Sequence, residues 1–271
     1  MNTFSSKIIE LTNISKTYYD IIIYRVRFKE DYLDYKKGDL GGWAEKESNF
    51  SDYALILDEA IVYGNATIYG NAVICGNAVV QDKASILNKA KIYDNAIIRG
   101  NVIVYGNSEV FGNAELSGDV VVYGFSKIFD KAVIFQNAEV YGNAQVYGNA
   151  RIYGNAHIAY NAKVYEYALV YESAFVSGSA EVFGEAEVSG EAEIAGEAKA
   201  TRKVFTLNFG YNLTLTDSHI RYGCIQKTIK EWEEWLKSDK VINTKRTDPV
   251  FKIIELSLTL AIEQSKLFIK N

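Results

Sequence analysis

The stretch Tyr141-Gly142-Asn143-Ala144-Gln145-Val146-Tyr147-Gly148-Asn149-Ala150-Arg151-Ile152 repeats with a period of six, and that period decides the fold. Counted on its small residue, the hexad recurs without insertion from Ala54 to Ala198, 25 times. Alanine fills this position except at Val102, Ser108, Val120 and Ser126, and two residues on stands Val, Ile or Leu until Ala200 ends the series. A helix would repeat its apolar stripe every 3.6 residues or so, whereas six residues fit a short strand that alternates in and out and then turns. Ala144 and Val146 therefore point inward and Gln145 and Tyr147 outward. Gly148-Asn149 form the bend, where tolerance of positive φ is needed. One hexad cannot bury its own apolar side chains, so coils must stack.

This pattern resembles the hexapeptide-repeat proteins, in which three hexads make one triangular coil of a left-handed parallel β-helix. One residue separates the aliphatic from the glycine here, as in Val146-Tyr147-Gly148, whereas acyltransferases of that class usually join them directly. The resemblance implies an all-β solenoid of about eight coils, and at roughly 4.8 Å between paired strands the prism is about 40 Å long. The chain divides into an N-terminal β cap over residues 1–50, the hexapeptide-repeat β-helix over 51–200, and a C-terminal α+β module over 201–271.

Composition narrows the function. No run of about 18 apolar residues occurs and no basic-then-apolar leader opens the chain, so a cytoplasmic protein without membrane insertion is expected. Cys75 and Cys224 lie too far apart in sequence to suggest a disulfide framework. A net charge of −5 argues against a general nucleic-acid binder, which carries a basic stripe.

At the N-terminus, Ile21 to Phe28 reads as a strand with Ile22, Tyr24, Val26 and Phe28 on one face. Lys37-Gly38-Asp39-Leu40-Gly41-Gly42-Trp43 follows, then Glu47-Ser48-Asn49-Phe50. The open end of the first coil needs a cover, and Trp43 and Phe50 are suited to plug it. These motifs resemble the N-terminal part of hexapeptide-repeat proteins of bacteria and their phages, a group with no settled activity. The C-terminal Thr216-Asp217-Ser218-His219, Gly223-Cys224 and Glu231-Trp232 resemble the same group. A histidine that commonly follows Gly-Cys there is replaced near Lys227, so no metal centre is expected. If His219 and Cys224 met in space they could do chemistry; core packing is the ordinary fate of a Cys.

Residues 18 apart stack. One face carries Lys91, Glu109, Lys127, Gln145, Lys163, Glu181 and Lys199 beside the ladder Tyr93, Phe111, Phe129, Tyr147, Tyr165 and Phe183. The second has outward aliphatics with Phe135, Tyr153 and Tyr171; the third has Ile103 and Val121 beside Tyr105, Tyr123 and Tyr141. Apolar patches of this kind mark covered surface, by the terminal segments or by another subunit. Glu181, Glu187, Glu193 and Glu197 make the last coils acidic. Solvated surface that discourages end-to-end stacking is the reading, with a cation site or a basic partner as sharper alternatives. After Ala200, Val204 to Leu215 reads as strand with a turn near 208–212. A capping box at Thr228 opens one helix, and Asp248-Pro249 opens a second through Phe251, Ile254, Leu258, Ile262 and Leu267.

The expected function is a non-enzymatic structural or protein-binding scaffold, phage- or prophage-related. It would present aromatic faces to itself, as a homo-oligomer, or to a host protein, including in an anti-defence role, without a cofactor. The alternative implied by the fold class is a CoA-dependent acyltransferase taking acetyl-CoA or another acyl-CoA, with His157 as base beside Glu139 in a subunit cleft.

Overall fold

A computed structural model describes residues 6–208, 211–242 and 244–268. The hexads form 25 two-residue strands, from Leu55–Ile56 to Lys199–Ala200. Each strand up to Glu181–Val182 pairs in parallel with the strand 18 residues on, as Gln145 with Lys163 and Val146 with Val164, so three hexads make one coil. The three resulting sheets are the sides of the prism. Inward alanines and aliphatics are fully buried along the whole coil. The cross-section is narrow because every hexad contributes one small and one medium side chain to the interior.

The solenoid has about nine turns rather than eight. Leu40–Ala44 (β3) pairs in parallel with Ile61–Val62, and Phe50 bridges Ile68. Gly42 with Ala44 and Ser48 with Phe50 thus occupy the same hexad positions as the later alanines and aliphatics, one turn earlier. Phe50 fills the interior, whereas Trp43 points outward and packs with Ile23 and Ile61. Gly42 replaces alanine because a Cβ there would lie 2.6 Å from the Ala60 carbonyl oxygen.

The N-terminal segment is continuous with this sheet, across the boundary placed at residue 50. Ile9–Tyr18 (β1) and Ile21–Phe28 (β2) form an antiparallel hairpin, and β2 pairs with β3. The register shifts between Arg25 and Arg27, which corrects the simple alternation expected of β2. Before the shift Ile23, not Ile22, is the buried residue; after it Val26 and Phe28 enter the main core. A bulge reverses which parity faces inward.

The corners follow a rule of their own. Ten non-glycine residues of the coil take φ between +53° and +62°, Asp58, Asp94 and Glu166 among them, and each has a glycine 18 residues on. The side chain below reaches the amide above: Gly76 donates to Asp58 Oδ2 at 2.9 Å, and Gly184 to Glu166 Oε2 at 2.8 Å. The glycine leaves that space free. Asparagine ladders run beside these corners, with Asn77 Nδ2 donating to Asn95 and Asn95 Nδ2 to Asn113.

The C-terminal module is a four-stranded antiparallel sheet, Phe205–Asn208, Asn212–Leu215, His219–Tyr222 and Ile225–Thr228, with helices α1 (Ile229–Leu236) and α2 (Pro249–Phe268). The centre of the expected turn, 209–210, lies outside the described residues. Thr228 and Glu231 form the anticipated capping box, and Asp248 Oδ1 accepts the Val250 amide at the start of α2. Trp232, Phe251, Ile254, Leu258 and Ile262 share a buried core. Leu267, expected on the same stripe, is exposed, because five residues beyond Ile262 the helix has turned about 140° away.

Candidate functional site

The outer surface of the coil divides into covered and uncovered regions. On the second side the β1–β2 hairpin covers the first rungs. Tyr18, Ile21 and Ile23 pack on Trp43, Ile61, Tyr63 and Val79. A polar network pins the hairpin: Glu59 accepts from Arg25 Nη1 at 2.7 Å and from the Trp43 indole at 2.9 Å, while Lys16 and Arg25 lie over the Trp43 ring. The hydrogen bonds from Arg25 and then Trp43 hold the Glu59 carboxyl down at about 2. Asn49, fully buried, donates to the carbonyls of Gly64 and Ala66 and accepts the Lys46 amide. The Glu-Ser-Asn motif is therefore a fastening of the first turns.

The acidic end meets the chain's own C-terminal module. Arg221 Nε lies 2.6 Å from Glu193 and Lys203 Nζ 3.1 Å from Glu187, while within the last coils Lys199 Nζ lies 2.9 Å from Glu181. The Glu193 amide donates to Thr214 Oγ1, and Gln226 reaches the Ala195 carbonyl. Glu187 also accepts from the Tyr171 hydroxyl, which with Lys203 lowers its pKa. Glu197 stays exposed. Among the described residues no three His, Cys, Asp or Glu side chains gather where they could hold a metal ion.

The C-terminal motif is divided by the fold. His219 pairs with Thr228 at the far end of a hairpin whose tip is Gly223-Cys224, so four strand positions, about 13 Å, separate histidine and cysteine. His219 Nδ1 lies 2.8 Å from Ser218 Oγ, Cys224 is exposed, and Trp232 is buried with its indole donating to the Ile220 carbonyl. The hairpin was missed in the sequence, although Gly223, at φ +56° between two short alternating runs, is its signal.

Three aromatic ladders run along the prism. On the first side the rings from Tyr93 to Phe183 stack at 4.7–5.0 Å, nearly parallel. On the second, Phe135, Tyr153 and Tyr171 stack at 4.8 and 4.9 Å. On the third, Tyr105, Tyr123 and Tyr141 stack at 5.1 and 4.9 Å. Beside this last ladder stand Ile103, 37% exposed, and half-buried Val121 on neighbouring rungs. Two residues that the sequence reading passed over flank it. Phe125 and Tyr160, each 62% exposed, replace the Asn and Gly usual at that corner, and this exchange is the signal that could have found them. The next rungs of the same side carry Glu139 and His157, whose Nδ1 lies 3.5 Å from Glu139 Oε2 on an open sheet face, with Phe175 edge-on to the imidazole.

Two stretches of the coil, residues 60–76 and 144–160, match the YdcK β-solenoid repeat, which agrees with the parallel stacked architecture. Among curated proteins none matches the chain. No helix among the described residues is long and apolar enough to cross a membrane.

Proposed function

We propose that the protein is a non-enzymatic scaffold that binds another protein through the third side of its solenoid. The observation that carries this reading is the uncovered patch of Ile103, Tyr105, Val121, Tyr123 and Tyr141 with Phe125 and Tyr160 at its rim. The chain's own termini take up the start of the second side and the acidic end, yet leave this patch to solvent. Tyrosine-rich apolar surface on a rigid frame suits recognition, because large rings add contact area at little cost in conformational entropy. The N-terminal Gly-Gly-Trp and C-terminal motifs support a phage- or prophage-related origin and a cytoplasmic host protein as partner, an anti-defence role included. Self-association through the same surface belongs to this reading.

The test is capture from host extract with wild-type protein and with Ile103→Asp/Val121→Asp. Loss of a specific captured protein from the variant is expected, and identical capture by both would contradict the assignment. A second reading, CoA-dependent acyl transfer, rests on the Glu139–His157 pair and requires a subunit cleft around it. It requires acetyl-CoA to raise the melting temperature of the wild type and less so that of His157→Ala; no shift in either is expected on the scaffold reading.

A further inference from the structure

Helix α2 carries apolar residues on two opposite sides. Phe251, Ile254, Leu258, Ala261 and Ile262 are buried on the module's sheet and α1. Ile253, Leu256, Leu260 and Leu267 lie on the other side, each 43–59% exposed, and Val250, 43% exposed, stands between the two sides. Ile253, Leu256, Leu260 and Leu267 follow spacings of 3, 4 and 7, which align them in one stripe about 140–180° from the buried one. A helix apolar on both sides is ordinarily buried on both.

We infer that this stripe is a homodimer interface, in which α2 packs antiparallel against α2 of a second copy. Charge selects the occupant and the direction. Lys252, Glu255, Glu263 and Lys266 balance one another, unlike the cationic excess of a helix that lies on anionic lipid. A parallel pair in register would press Glu263 against its own copy within the seam, since it falls in the stripe between Leu260 and Leu267. An antiparallel pair centred between Leu256 and Leu260 separates the two Glu263 carboxylates by about 15 Å and brings each near the other copy's Lys252. The stripe runs about 21 Å along the helix, and two such helices at 8–10 Å bury on the order of 1,000 Å², the lower range for a specific interface. Dimerisation through α2 leaves the patch around Tyr123 free, so it extends the scaffold reading: one particle presents two patches.

The test is light scattering of the full chain over a concentration series to about 100 μM, on wild type and on Leu256→Glu/Leu260→Glu. The wild type should reach twice 30.3 kDa and the variant remain at 30.3 kDa with unchanged circular dichroism. A monomeric wild type overturns the proposal. So does a dimer that survives Leu256→Glu/Leu260→Glu, and if that dimer instead dissociates in Ile103→Asp/Val121→Asp, self-association belongs to the third side. Should the glutamate variant misfold, Leu260→Cys in a Cys75→Ser/Cys224→Ser background decides. Oxidation should link two chains, because Leu260 lies near the two-fold axis, and failure to link them overturns the antiparallel pairing.

Discussion

At the scale of single residues, the coil depends on what each corner can accommodate. Gly112 sits at φ +69°, and a Cβ there would lie 2.8 Å from the Asp130 backbone nitrogen. Gly112→Ala is therefore expected to destabilise by about 1–3 kcal/mol in denaturant unfolding, from positive φ and the coil-to-coil clash together. A change below a few tenths would show that the corners are slack. Glu59 gives a second residue-level expectation. Its carboxyl is held at about 2 against an ordinary 4.5 by Arg25 and Trp43. Its share of stability is thus present above pH 4.5 and lost as pH falls toward 2. Because its side chain is 54% exposed, solvent screening limits that share to about 1 kcal/mol. Glu59→Gln should flatten the fall in melting temperature over this window, and an unchanged acid profile would remove the network from the account.

At the scale of elements, the ladder on the first side couples stacking to ionisation. Tyr93 is pushed up to about 12, first by burial and then by the neighbouring Glu109 carboxylate. Folding therefore favours the neutral phenol, and the stability it contributes is full below pH 10 and lost as pH rises toward 12. Tyr93→Phe should keep the stack and extend stability on the alkaline side, measured as melting temperature between pH 9 and 12. Equal alkaline loss in the variant would contradict this. The hexads were legible in the sequence because each rung repeats one demand, small then aliphatic, 25 times. The first turn was not, because Gly42 and Ser48 stand where alanine stands later, and Ala44 and Phe50 where Val, Ile or Leu does. The parity change in β2 escaped for a related reason: a bulge leaves no mark in composition. Leu267 was assigned to the buried stripe of α2 by its apolarity, although its angular position puts it opposite.

At the scale of the whole molecule, the terminal segments give the aromatic surfaces their meaning. From sequence, the outward aliphatics of the second and third sides are equivalent candidates for cover. The hairpin removes Ile61 and Val79 from that set, and the basic side chains of the C-terminal module neutralise Glu187 and Glu193. These pairings join segments more than 15 residues apart in the chain, beyond the reach of any local pattern. What remains is a rigid prism whose third-side patch, with Ile103, Phe125 and Tyr160 exposed, combines aliphatic and aromatic surface beside the uncovered ladders of the other sides and, on the α2 inference, a second copy at its C-terminal end. The placement of His219 and Cys224 at opposite ends of a hairpin likewise turns a motif that suggested chemistry into one that shapes the module.

The central claim, that the third side is where a partner docks, is tested most directly by a photo-crosslinking residue at Tyr123, with the same residue at Tyr147 on the first side as control. Illumination in cells that make the protein should give a discrete adduct with another protein at Tyr123 and none at Tyr147. No adduct at Tyr123, or the same adducts at both positions, would contradict it.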